Sequence, residues 1–109
     1  MDERQRRIGL NEAVFREANE RIEEVNRTFE TLTGELVLVC ECGNAECVEK
    51  ISMTAPAYEE LRSEPTHFAI VPGHEIPDVE SIVERHDGYD VVKKDEGVPQ
   101  RIAEATDPR

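Results

Sequence analysis

Between residues 10 and 29 the apolar side chains recur every three or four places: Leu10, Val14, Ala18, Ile22, Val25 and Phe29, with Phe15 beside the line. That spacing lines one face of an α-helix. Asn11 is a suitable N-cap, and Glu17 with Arg21 and Glu23 with Arg27 are i,i+4 pairs in the favourable order. The pattern predicts a helix of about 20 residues, roughly 30 Å long. Its stripe is expected to pack on the domain's own sheet. The helix is long for so short a chain, so pairing of its exposed part with a partner or a second copy is the alternative.

A break over residues 31–34 precedes the apolar run Glu35-Leu36-Val37-Leu38-Val39-Cys40. The run reads as a strand covered on both faces. Gly43-Asn44 turns the chain, and residues 47–53 read as the returning strand of a hairpin. Thr54 and Pro56 start a short helix over 55–63. Residues 66–71 form a strand ended by Pro72-Gly73. Residues 77–85 carry Val79, Ile82 and Val83 at helical spacing and read as a helix stopped by His86-Asp87-Gly88. Residues 89–93 read as the last strand, and the polar stretch from Asp95 as a mobile tail with a turn near 101–105.

The order is α-β-β-α-β-α-β. Strand–helix–strand units imply some parallel pairing with right-handed crossovers. The expectation is a single α+β domain with a mixed four-stranded sheet. Its parts are an N-terminal amphipathic helix (1–33), an α+β zinc-hairpin unit (34–95) and a polar tail (96–109).

Charge sharpens this picture. The 109 residues carry a formal net charge of -12, unevenly spread. Residues 34–109 hold 17 acids against seven bases, while residues 1–33 hold eight against six. Such a body repels phosphate backbones, which excludes nucleic acid at the acidic face and favours a partner protein with a basic surface. No apolar run approaches the ~20 residues of a membrane span, and no apolar signal region follows Met1. A cytoplasmic protein with reduced thiols is expected.

The three cysteines fall within eight residues: Cys40-Glu41-Cys42-Gly43-Asn44-Ala45-Glu46-Cys47. Side chains alternate along a strand, so Cys40 and Cys42 point one way and Glu41 the other. Gly43 lets the chain return Cys47 towards the pair. Three soft ligands in one turn point to zinc, which needs a fourth corner. His74 is the first choice, since Gly73 frees it to swing and Glu75 or a backbone carbonyl is placed to orient it. His67 ranks second. His86 ranks last, because a helix end favours its cationic form. An iron–sulfur cluster, which usually takes four cysteines, and free packed thiols are the alternatives.

Cys40-Glu41-Cys42-Gly43 with Cys47 occurs together with Pro72-Gly73-His74-Glu75, His86-Asp87-Gly88-Tyr89, Thr106-Asp107-Pro108-Arg109 and Asn19-Glu20-Arg21-Ile22. In these segments the chain resembles a group of small bacterial proteins of the actinobacterial type with no established activity. The resemblance implies a bacterial cytosolic protein and supplies no function.

The residues favour a structural zinc in a non-catalytic protein-binding or regulatory module. A redox- or zinc-responsive regulator would use the same thiolates, although the acidic neighbours Glu41, Glu46 and Glu49 should disfavour thiolate without metal. A small zinc-dependent hydrolase would need Glu75, Glu41 or Glu46 as base. Neither the H-x-E with P-C-x-x-C nor the H-E-x-x-H pattern is present.

Overall fold

The computed structural model describes residues 3–29 and 34–109. The expected break at 31–33 and the side chain of Phe29 lie outside the described residues. Helix α1 (Glu3–Phe29) has 27 residues, about 40 Å at 1.5 Å per residue. It runs most of the length of a body measuring 46 × 25 × 25 Å. The helix starts well before Asn11, which is therefore no N-cap. The Asn11 amide instead reaches across to the Gly43 carbonyl at 2.9 Å.

Strands β1 (Glu35–Val39) and β2 (Lys50–Thr54) pair antiparallel, with Leu38 opposite Ile51 and Leu36 opposite Met53. Those four side chains point inward and Val37 and Ser52 outward, so β1 is covered on one face and not on both. Thr54 caps helix α2 (Ala55–Arg62), its hydroxyl accepting from Ala57 N–H at 3.2 Å. Strand β3 (His67–Ile70), strand β4 (Glu80–Arg85), strand β5 (Asp90–Lys94) and helix α3 (Val98–Ala105) complete the chain.

The sheet differs from the expected mixed four-stranded one. Among the described residues there are two antiparallel sheets, β1-β2 and β3-β5-β4. The error traces to residues 77–85, which form a turn and then β4 and no helix. Ile82 and Val83 also fit a strand with a bulge, and the register does shift between Ile82 and Glu84. Asp87-Gly88 is a two-residue hairpin turn, with Gly88 at φ +88° and His86 N–H bonded to Tyr89 O at 2.9 Å. A hairpin removes the need for a crossover, and with it the parallel pairing.

The C-terminal stretch is also more ordered than its polarity suggests. Helix α3 docks on α1 through buried Ala103, with Ile102 against Gly9. Arg109 then ion-pairs with Glu20 and Glu59.

Among the described residues two apolar clusters form the core. Leu36, Leu38, Ile51, Met53, Tyr58, Leu61, Ala69, Tyr89 and Val91 fill one. Cys40 and Cys42 join Phe68, Ile70, Val92 and Ala103 in the other.

Helix α1 overturns the expected stripe. Leu10, Val14 and Val25 are exposed at 39%, 66% and 54%, whereas Glu12, Arg16, Asn19 and Glu23 are buried. The inner positions are polar at the same 4-3-4 helical spacing; Glu12, Arg16 and Asn19 find buried partners, and Glu23 pairs with exposed Arg27 at 2.7 Å. Arg16 donates to Pro65 O and Ala103 O and lies 4.5 Å from the Phe68 ring centroid. Lys94 pairs with Glu12 at 2.7 Å and with Glu80 at 2.9 Å. Burial drives the Glu12 carboxyl well above the usual range, against the pull of Lys94.

Candidate metal centre

Beyond β1 the chain stays extended through residues 40–42 and runs beside β3, with Glu41 N–H bonded to Ala69 O at 2.8 Å. The pleat sends Cys40 and Cys42 to one side and Glu41 to the other. Glu41 is fully buried there. One carboxylate oxygen accepts from Arg62 at 2.9 Å and Ala69 N–H at 3.0 Å, the other from Asn19 at 2.7 Å. Asn19 also grips Val39 by both backbone groups, donating to its carbonyl at 2.9 Å and accepting from its N–H at 2.8 Å. Glu41 is thus the buried anchor of the cysteine segment, and it is removed from any role as a base.

Gly43 serves by size. A Cβ there would stand 2.5 Å from Ile8 Cγ2 and 2.9 Å from Ile76 Cδ1. The next four residues make a tight turn. Cys47 N–H bonds Asn44 O, and the Asn44 side chain accepts from Glu46 N–H, both at 3.0 Å. This turn returns Cys47 to the other two thiols.

The fourth corner comes from a different segment. Pro72 and Gly73 occupy the middle of a turn closed by His74 N–H to Val71 O at 3.0 Å, with Gly73 at φ +94°. Pro followed by a positive-φ Gly is the signature of a type II turn. The turn brings His74 Nδ1 to 3.6 Å from Cys40 Sγ and 3.7 Å from Cys47 Sγ. Donor atoms of Cys40, Cys42, Cys47 and His74 all lie within 4.8 Å of one another.

The donor set fits a metal ion. Tetrahedral bonds of about 2.3 Å to sulfur and about 2.0–2.1 Å to nitrogen give edges of about 3.6 Å (S–N) and about 3.8 Å (S–S). The imidazole is also oriented for ligation. His74 Nε2 lies 2.9 Å from Glu49 Oε2, so a proton on Nε2 leaves the Nδ1 lone pair facing the sulfurs. A carboxylate behind a ligand imidazole raises its basicity and fixes its tautomer. The orienting carboxylate is Glu49, in place of the expected Glu75.

Backbone N–H groups face all three sulfurs. Val71 N–H donates to Cys40 Sγ at 3.2 Å. The N–H groups of Asn44 and Glu49 serve Cys42 and Cys47. A hydrogen bond from Cys40, opposed by burial and helped by Asn44, lowers the Cys42 thiol to about 5. The same bond to Cys42, together with burial, raises the Cys40 thiol, and burial raises that of Cys47. Cys42 is thus the most acidic of the three thiols, through its hydrogen bonds. The expected disfavouring of thiolate holds for Cys40 and Cys47, through hydrogen bonding and burial in place of acidic neighbours, and fails for Cys42; Glu41 is turned away into its own ion pair with Arg62.

Cys40, Cys42, Cys47 and His74 are thus brought together, and the other two histidines are not. His67 lies on β3 opposite Lys93, and burial lowers its pKa. His86 sits in the β4–β5 hairpin, stacked 4.6 Å from Tyr89 and 2.8 Å from Glu84. It occupies no helix end. Among the residues that sequence reasoning missed, Asn11 and Asn19 carried a signal. Asn19 lies on the polar stripe that turned out to face inward, and Asn11 borders it. Comparison with protein-family models, curated proteins and solved structures finds no match to this chain.

Proposed function

We propose that the chain is a zinc protein whose Cys3His centre is structural, and that it acts without catalysis as a protein-binding module of the bacterial cytoplasm. The observation that carries the zinc reading is the set of four protein donors within 4.8 Å of one another, with His74 Nδ1 at 3.6 Å from Cys40 Sγ and Glu49 behind the ligand imidazole. Three thiolates and one imidazole match zinc's preference, and four protein ligands close the coordination shell against water. A closed shell argues against the hydrolase reading.

The protein-binding reading rests on the surface around the centre. The ligand loop leaves Val48 81% exposed beside exposed Glu46 and Glu49. Zinc would fix Cys47, and so the tip that carries Val48, for a partner with an apolar contact inside a basic rim.

A second reading, a redox-responsive regulator, is favoured by one observation. Cys47 is only half-buried and lies in an otherwise exposed turn. Peroxide would take two electrons from Cys47 and Cys42, forming a disulfide, releasing zinc and leaving as two waters after taking up two protons.

Elemental analysis of the purified chain tests the centre, with about one zinc per chain expected. No zinc, together with unchanged stability of Cys42→Ser and His74→Ala, would sink the reading. Zinc release by low peroxide with a change in partner capture would move the choice to the regulator.

A further inference from the structure

The face of α1 opposite its buried side carries Glu3, Arg7, Leu10, Val14, Glu17 and Arg21, all exposed. Their spacing is 4-3-4-3-4, the seam of a two-stranded coiled coil. The order of chemistry along this seam is minus, plus, apolar, apolar, minus, plus. Reversed end to end, it becomes its own complement.

We propose that this face binds a second copy of the chain, with the two α1 helices antiparallel about a two-fold axis between Leu10 and Val14. In that register Leu10 packs on the partner's Val14 and Val14 on the partner's Leu10. Arg7 meets the partner's Glu17, and Glu3 meets the partner's Arg21. Symmetry then supplies each charged pair twice. A parallel pairing would set Glu3, Arg7, Glu17 and Arg21 each against its own copy, so the same residues exclude it.

Net charge points to the same face. The chain as a whole stands at -12, yet residues 3–29 hold six glutamates and six arginines. Helix α1 is thus a neutral surface on which two acidic bodies can meet with least repulsion. Its side of the molecule is unobstructed, because α3 and β1 pack against the inner and lateral positions through Gly9, Arg16 and Asn19. Within one helix the seam residues make only long ion pairs, Glu17 with Arg21 along the seam and Glu3 with Arg6 beside it, at 3.7 Å each. Their partners remain available to a second chain.

Few apolar anchors make this a reversible dimer, so the measurement is sedimentation equilibrium of the zinc-supplemented full chain from about 10 µM to about 1 mM. A monomer–dimer equilibrium is expected in that range. Arg7→Glu and Glu17→Arg each place like charges opposite one another at two symmetric contacts, and each should raise the dissociation constant about tenfold or more. The double variant Arg7→Glu/Glu17→Arg exchanges the charges and should restore the wild-type constant. Far-UV circular dichroism checks that each variant is folded, which exposed helix positions should permit. A monomer throughout the range would overturn the proposal. So would a dimer indifferent to the single reversals, or one that the double variant fails to restore.

Discussion

Replacing Glu41 by Gln changes one buried oxygen into an amide, and the surroundings leave that amide nowhere to go. One Glu41 oxygen accepts from Arg62 and Ala69 N–H, the other from Asn19. A glutamine that keeps its oxygen towards Arg62 points its NH2 at the Asn19 amide nitrogen, donor against donor. Asn19 is unable to flip in response, because both of its amide atoms are engaged by Val39. The opposite rotamer turns the NH2 on Arg62 and on Ala69 N–H. Either way the Arg62 guanidinium, whose side chain is 1% exposed, loses its counter-charge, and a guanidinium does not shed its own charge. Its remaining polar contact is His67 O at 3.2 Å.

Breaking a buried ion pair from one side costs about 3–5 kcal/mol. A domain of this size is stable by about 5–15 kcal/mol in all. Urea unfolding of zinc-loaded protein, followed by far-UV circular dichroism, should therefore show about a fifth or more of the stability gone, with m unchanged. The double variant Glu41→Leu/Arg62→Met removes both charges, and it should be less destabilised than Glu41→Gln. A loss below about 1 kcal/mol for Glu41→Gln would refute the network as described.

Glu49→Gln should weaken zinc affinity about 10–100-fold by removing the carboxylate behind His74, measured by competition with a chromogenic chelator; an unchanged affinity would unseat Glu49. At free zinc about 1,000 times its dissociation constant the ion contributes about 4 kcal/mol, so chelation should lower the melting temperature by roughly 15 °C or more. Gly43→Ala should cost about 1–3 kcal/mol by overpacking against Ile8 and Ile76, read from the same unfolding curves. Burial, and then Glu59, raises the Glu23 carboxyl from 4.5 to about 7. The unfolded chain releases that proton first, so this group makes stability fall as pH rises from about 4.5 through about 7. Glu23→Gln should flatten the fall; an unaltered pH slope would contradict the assignment.

The cysteine centre was legible because its cause is local. Strand alternation, a glycine and a Pro-Gly turn each act over two or three residues, and they place Cys40, Cys42, Cys47 and His74. Glu49 escaped notice because its role depends on where a distant turn sets the imidazole. Residues 77–85 misled for another reason. Val79, Ile82 and Val83 satisfy a helical template, and the Asp87-Gly88 hairpin signal outweighs it only once β5 is there to pair with. The tail was misjudged on its overall polarity, since its docking rests on just two apolar residues, Ile102 and Ala103, within a polar stretch.

The inverted helix has a physical reason that joins the fold to the site. Both ligand-bearing segments are held by polar partners on the inner face of α1. Asn19 fixes Val39 and Glu41 on either side of Cys40, and Asn11 holds Gly43 beside Cys42. Glu12 reaches the other segment through Lys94 to Glu80, whose second oxygen accepts from Ile76 N–H at 2.9 Å, two residues past His74. Apolar packing is non-directional and sets distances loosely, whereas ligand atoms must meet a tetrahedron within a few tenths of an ångström. Directional bonds supply that register, although buried ion pairs seldom add net stability over an apolar core. A helix whose inward positions are given to Glu12, Arg16, Asn19 and Glu23 must carry Leu10 and Val14 on its outer side. The demand that builds the metal centre thereby also exposes the seam on which a second copy can dock.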